Sequence, residues 1–305
     1  MFFNIKSVRE GIYLLCRLGE YEDAQHYALE SSPDVLLINN EINSIFSEKP
    51  NGFRKDLRYT RYQKTLNNDL INECHIQWAR DDELGGAMLW AYLVDNYTIT
   101  RNVHPRHYYG LYFRNADYDR KIFKGMFFVT REYLPINTVY KTTQCYTAAL
   151  YILDLLALKR DEKIDLINNI YETYKSLSKR CKTEFSWLKD ATNDQLDWVW
   201  NHFLKHPFTR KAIDNIRFPE ENKLLSIQCI YYMISEGESE KKLWLNNIKK
   251  NYANMKHREK VKDKAPVNIR ISPSAKKKLV NLEKKFNRNR SEVIEHLIEQ
   301  AWAAK

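Results

Sequence analysis

Within its last forty or so residues this chain switches from a hydrophobic period of two to the helical period, and the switch narrows the folds open to it. Val267-Asn268-Ile269-Arg270-Ile271-Ser272 alternates apolar and polar side chains, the period of two expected of a strand with one dry and one wet face. Ser272-Pro273 reads as a helix start, because a serine hydroxyl caps a first turn and proline is pre-set for it. Ala275, Leu279, Leu282 and Phe286 then follow at helical spacing. Asn287 stands where the chain must leave the helix through a left-handed residue, which asparagine tolerates. Ser291 is expected to cap a second helix with Ile294, Leu297, Ile298 and Ala301 on one face. The pattern predicts a strand, a helix of about fourteen residues, a tight turn and a helix of about twelve.

A β-α-α piece of this size cannot stand alone. Its apolar area is too small for a core, and a lone strand leaves backbone N–H and C=O groups unpaired. Pairing the strand with its copy from a second chain answers both needs and gives a two-stranded antiparallel ribbon over four helices. A ribbon of that width enters the DNA major groove. A helical hairpin used only for dimerisation would explain the apolar stripes, but not the polar face of Val267 to Ser272.

This succession resembles the ribbon-helix-helix family, to which the Arc, MetJ and CopG repressors belong; the resemblance covers residues 266–305. It implies a C-terminal domain that dimerises and binds double-stranded DNA. Asn268 and Arg270 would read base edges from the polar strand face, with Ser272 at the strand end. Asparagine can pair bidentately with adenine and arginine with guanine. The resemblance also implies a phosphate held at the start of the second helix by the backbone of Ser291 and Glu292, with Arg290 close by. Lys276, off the apolar stripe of the first helix, would meet phosphate. Pro266 occupies the place of a first base-reading side chain, so base reading is expected from two strand residues per subunit. The run from Ser291 to Ala301 is also similar to the second helix of the MatP family of chromosome-terminus organisers, in which a helical bundle and a basic stretch likewise precede the unit. The coiled coil that follows there has no matching residues here, so DNA bridging is not expected.

Charge points the same way. The formal net charge is +10, and residues 251–305 hold fourteen Lys and Arg against six Asp and Glu, a net of +8. Charge localised in this way is the electrostatic footprint of a polyanionic partner. Cys16, Cys74, Cys145, Cys181 and Cys229 are dispersed and odd in number, which suits neither a disulfide framework nor a zinc knuckle and fits a reducing cytoplasm. The first residues lack the apolar run of a signal peptide. The longest apolar stretch, Tyr146 to Leu158, contains Asp154 and is too short to span a bilayer. The expected partners are therefore DNA and a second copy, not a membrane, and the expected place is the cytoplasm, on the nucleoid.

The rest of the chain reads as mainly α. Eight Gly and eight Pro in 305 residues favour long helices, and twenty Tyr and thirteen Phe favour aromatic packing between them. Val8 to Leu18 and a second helix through Leu29 form a hairpin, of the tetratricopeptide kind or an ordinary one. Glu83 to Val94 reads as helix. Tyr108 to Tyr133 has β-type composition and reads either as one or two strands or as loops between helices. Helical periodicity returns at Thr142. Thr192-Asn193-Asp194-Gln195 is a capping box, a helix is expected from Pro219 to Gly237, and Ser239 opens a charged helix. These signals divide the chain into a helical region over 1–140, a helical bundle over 141–250, a basic linker over 251–265 and the β-α-α unit over 266–305. The first 250 residues would supply oligomerisation, a surface for a protein partner or effector sensing.

Nothing in the sequence asks for a metal or cofactor. His104 with His107, and His202 with His206, lack an evident third ligand, and no P-loop, GxGxxG or GxSxG occurs. The expectation is a sequence-specific DNA-binding protein, a transcriptional regulator or DNA organiser. The alternative is an enzyme or effector whose first 250 residues act while the tail delivers them to DNA or represses their own gene. Its site would then lie between Arg101 and Tyr140, among His104, His107, Tyr108, Arg114 and Arg131.

Overall fold

Two helices without a polar face set the centre of this fold. The computed structural model describes residues 3–48, 52–99, 129–234, 237–260, 262 and 268–304. Its helices in chain order are α1 (Val8–Leu18), α2 (Tyr21–Leu29), α3 (Val35–Glu48), α4 (Gly52–Asp69), α5 (Gln77–Asp81), α6 (Glu83–Tyr97), α7 (Thr143–Leu155), α8 (Arg160–Glu184), α9 (Asn193–Lys205), α10 (Pro207–Ile216), α11 (Lys223–Met233), α12 (Glu238–Lys260), α13 (Pro273–Phe286) and α14 (Arg290–Ala303). Among the described residues the only strand pair is β1 (Thr98–Ile99) with β2 (Val129–Thr130), parallel and two residues long. Met1–Tyr252 and Ala253–Lys305 form two compact units, and the boundary falls within α12.

In the first unit α6 is buried from Gly85 through Asp95, and most of α11 is buried from Leu225 to Met233. Helices apolar on every side belong in a core, and the amphipathic ones wrap them. α7 lies along α6. α8 turns Leu166, Ile167, Ile170 and Tyr174 inward, and α12 turns Leu245, Ile248 and Tyr252 inward. Aromatic contacts tie the layers: Trp90 meets Phe218 edge-on at 5.8 Å, and Trp78 stacks on Tyr174 at 4.9 Å. The close approach of α5 to α6 depends on Gly86, where a Cβ would stand 2.7 Å from the Ala79 carbonyl oxygen.

The expected α1–α2 hairpin is present. It turns at Gly19, whose φ of 92° only glycine adopts freely. The Thr192–Gln195 capping box is present as well. The helix expected from Pro219 starts later, at Lys223, because the Asn222 side chain accepts from the Leu225 N–H and caps it there. It also ends sooner, at Met233. Of the segment that reads as strands or loops, only the end lies among the described residues: Val129–Thr130 is strand and Arg131–Tyr133 a single 3-10 turn.

In the second unit α13 packs against α14, with Leu279 and Val293 buried between them. Ser272 Oγ accepts from the Ala275 N–H, Pro273 opens the helix, and Asn287 closes it at φ 51°, ψ 42°. The strand expected ahead of α13 is not there. Residues 268–272 are neither strand nor helix, and Pro266 and Val267 lie outside the described residues. The β-α-α ribbon-helix-helix architecture is therefore corrected to a helical pair preceded by an irregular segment. A strand exists only through its ladder, and no described segment runs beside 268–272 to provide one.

Candidate nucleic-acid interface

The described basic side chains of the second unit sit on its outside. Leu279 and the half-buried Ala275, Leu282 and Phe286 take the inner face of α13, and Lys276, Lys277, Lys278, Lys284 and Lys285 cover the rest, all exposed. Glu283 is the sole acid of this helix. Residues seven apart on a helix share a side, so Lys277 with Lys284 and Lys278 with Lys285 form two columns, each with about 10.5 Å between its members. Asn268 and Arg270 are exposed ahead of the helix, while the Ser272 hydroxyl is committed to its cap.

At the start of α14 the structure moves the cap. Asn289, not Ser291, is the N-cap: its Oδ1 accepts from the Glu292 N–H at 3.1 Å, and Glu292 Oε2 accepts from the Asn289 N–H at 3.0 Å. Ser291 lies inside the helix. The phosphate site expected on the backbone of Ser291 and Glu292 is thus partly filled by the protein itself, since the Glu292 amide is taken and its carboxylate stands at the helix start. Arg290 lies beside it with Nε donating to Glu283 Oε1 at 2.7 Å, across the turn between the two helices. On α14, Glu292, Glu295 and Glu299 make one stripe; Val293 and Leu297 lie away from it, and Ile298 and Trp302 run along its edge beside Glu295. Val293 is fully buried, but Ile298 is 62% and Trp302 76% exposed, and Ile269 and Ile271 are exposed too.

The other concentration of charge lies in the first unit and is turned inward. Arg9 of α1 donates from Nε and Nη2 to the two Asp154 carboxylate oxygens at 2.7 and 2.6 Å. Two turns on, Arg17 donates to Asp69, which also accepts from the Tyr13 hydroxyl. Lys163 is wholly buried and joins the two halves, donating from Nζ to the backbone oxygens of Asp69 at 2.9 Å and Asp154 at 3.0 Å. Those oxygens belong to the last turns of α4 and α7, where the helix dipole favours a cation. Burial still pulls the Lys163 ammonium down to about 8, against the pull of the Asp154 and Asp69 carboxylates. Burial likewise pushes the Asp154 carboxyl upward, against Arg9 and Lys163. Each charge here has a partner inside the fold, so the cluster is a bracket for three helices and α1. Its one trace in the sequence is Asp154 inside an apolar run.

Among the described residues no group of His, Cys, Asp or Glu is arranged to hold a metal. His202 Nδ1 donates to the Trp198 carbonyl at 2.9 Å, and the His206 ring lies 4.6 Å from that of Trp244. Of the residues proposed for an enzymatic site, His104, His107, Tyr108 and Arg114 lie outside the described residues. Arg131 donates to the Ile216 carbonyl at 3.1 Å. No described helix is long and apolar enough to cross a membrane. No protein-family model, curated protein or solved structure matches the chain.

Proposed function

We propose that this chain binds double-stranded DNA through residues 253–305, as a homodimer, and acts on the nucleoid as a regulator of transcription or an organiser of DNA. The observation that carries the reading is the net charge of +8 in this small unit, with all five lysines of α13 exposed. So dense a set of like charges repels itself, and phosphates neutralise it with release of counterions. In this reading Lys276 and its neighbours on α13 bind phosphate, and Asn268 and Arg270 reach base edges from the segment ahead of the helix. The second copy covers the apolar arc of α14. Among the described residues of this unit Leu279 and Val293 are the buried apolar side chains, too little core for some fifty residues, and burying Ile298 and Trp302 against their counterparts supplies the deficit. Deleting residues 253–305 tests the reading. In a gel shift the full chain should bind a cognate duplex specifically and residues 1–252 should lose that specific binding, while circular dichroism shows the shortened chain still helical. Undiminished specific binding by residues 1–252 would overturn it.

A further inference from the structure

Helix α12 has one flank that its packing does not use. Lys241, Leu245, Ile248 and Tyr252 are buried and form the stripe that holds the helix on the first unit. Lys241 is spoken for, with Glu238 at 3.6 Å and the Tyr231 ring at 5.3 Å. The next flank holds Lys242, Asn246, Lys249 and Lys250, at spacings of four, three and one, all exposed. From Lys241 to Arg258 the sequence has no Asp or Glu, yet it has Asn246, Asn247, Asn251 and Asn254. A merely solvated helix face is better served by Glu paired with Lys four residues on, and by better helix formers than Asn. Lys242, Lys249 and Lys250 among asparagines, in contrast, match a run of phosphates, which Lys neutralises and Asn can hydrogen-bond. A membrane surface fits less well, because such a helix needs a broad apolar face beside its cations and here only Leu243 is large, apolar and exposed.

We infer that the Lys242–Asn246–Lys249–Lys250 flank of α12 is a second, sequence-independent contact with the DNA backbone, made by the first unit in addition to α13. The inference rests on the DNA-binding reading and adds a separate surface to it. The test uses the full chain and a random-sequence duplex, with affinity measured by fluorescence anisotropy between about 50 and 200 mM salt. Two triple variants are compared: Lys242→Gln, Lys249→Gln, Lys250→Gln on α12, and Lys276→Gln, Lys277→Gln, Lys278→Gln on α13. All six side chains are exposed and glutamine is a good helix former, so circular dichroism should not change. The α12 variant should lower the slope of log affinity on log salt by roughly 0.9 for each lost contact, up to about 2.7. It should leave any preference for a cognate site intact. A slope unchanged by the α12 variant but lowered by the α13 variant would overturn this inference and leave the DNA-binding reading standing. No duplex binding by the parent chain would end both. Binding to anionic phosphatidylserine vesicles but not to duplex would assign the flank to a membrane surface instead.

Discussion

The buried ammonium of Lys163 sets a pH dependence that can be worked out in advance. In the unfolded chain a lysine ionises near 10.5; in the fold burial brings Lys163 down to about 8. Between those values the unfolded chain carries the extra proton, so stability rises with pH. The contribution is fully present above the unfolded value and is lost as pH falls through about 8. Two to three pKa units at 1.36 kcal/mol each make the whole effect roughly 3 kcal/mol, of which about 2.5 is reached by pH 10. Lys163→Met removes the titration while nearly filling the same volume. It also leaves the Asp69 and Asp154 carbonyl oxygens without that donor, at about 1–3 kcal/mol each. This offset is constant, so the slope is the quantity to read. Tyr13 and Tyr151, pushed above their ordinary range by burial, are common to both proteins and largely cancel. Urea unfolding of parent and variant from about pH 7 to pH 10 should show the parent gaining some 2–3 kcal/mol on the variant. A gap that stays flat across that range would mean that Lys163 keeps an ordinary ionisation, and that the bracket is wet.

Three further outcomes follow from particular contacts. Arg270→Ala should cost about 1–3 kcal/mol on a cognate duplex and relax preference at one base position, whereas Lys276→Ala should weaken cognate and random duplexes alike and flatten the salt slope by about one ion. Parallel loss on both duplexes for Arg270→Ala would deny it base contacts. Ile298→Asp should leave the helices intact, because the side chain is 62% exposed in one chain, but should turn dimer into monomer in sedimentation. A persistent dimer would place the second copy elsewhere. Gly86→Ala should lower stability by about 1–3 kcal/mol, because the new Cβ meets the Ala79 carbonyl oxygen and this outweighs the gain of about 1 kcal/mol in helix propensity. Equal stability in urea would show that α5 yields.

What was readable in the sequence was local chemistry. Ser272, Asn287, Gly19 and the Thr192–Gln195 pair each carry their own reason to start or stop a helix, and each does so. The start of α14 shows how two local signals compete. Asn289 and Ser291 are both good caps, but a carboxylate stands three residues after Asn289, whereas Ile294 stands three after Ser291, so only Asn289 can close a capping box. The strand failed for another reason. Alternation over 267–272 says which face would be dry once a ladder exists, and it does not supply the ladder. The bracket was illegible because Arg9 and Asp154 lie 145 residues apart. Only the fold brings them together, and a buried carboxylate announces that it needs a partner without naming it.

The two units treat charge in opposite ways, and the contrast bears on how the second would meet DNA in the proposed reading. Residues 1–252 hold thirty-five Lys and Arg against thirty-three Asp and Glu, and the cluster around Lys163 is folded inward. Residues 253–305 keep their excess outside and sort it by helix. α13 has five lysines and one glutamate; α14 has Arg290 and three glutamates. A polyanion meeting α14 face-on would meet Glu292, Glu295 and Glu299 along one stripe, each repelling phosphate. The same polyanion meeting α13 finds cations on every exposed side. Glu283, the single acid there, is already engaged by Arg290. In the proposed reading, with α13 turned to phosphate, α14 would be left for the second copy and its glutamates would stand clear of the DNA. Of the ways this unit could lie on DNA, that one places no carboxylate stripe of α14 against phosphate.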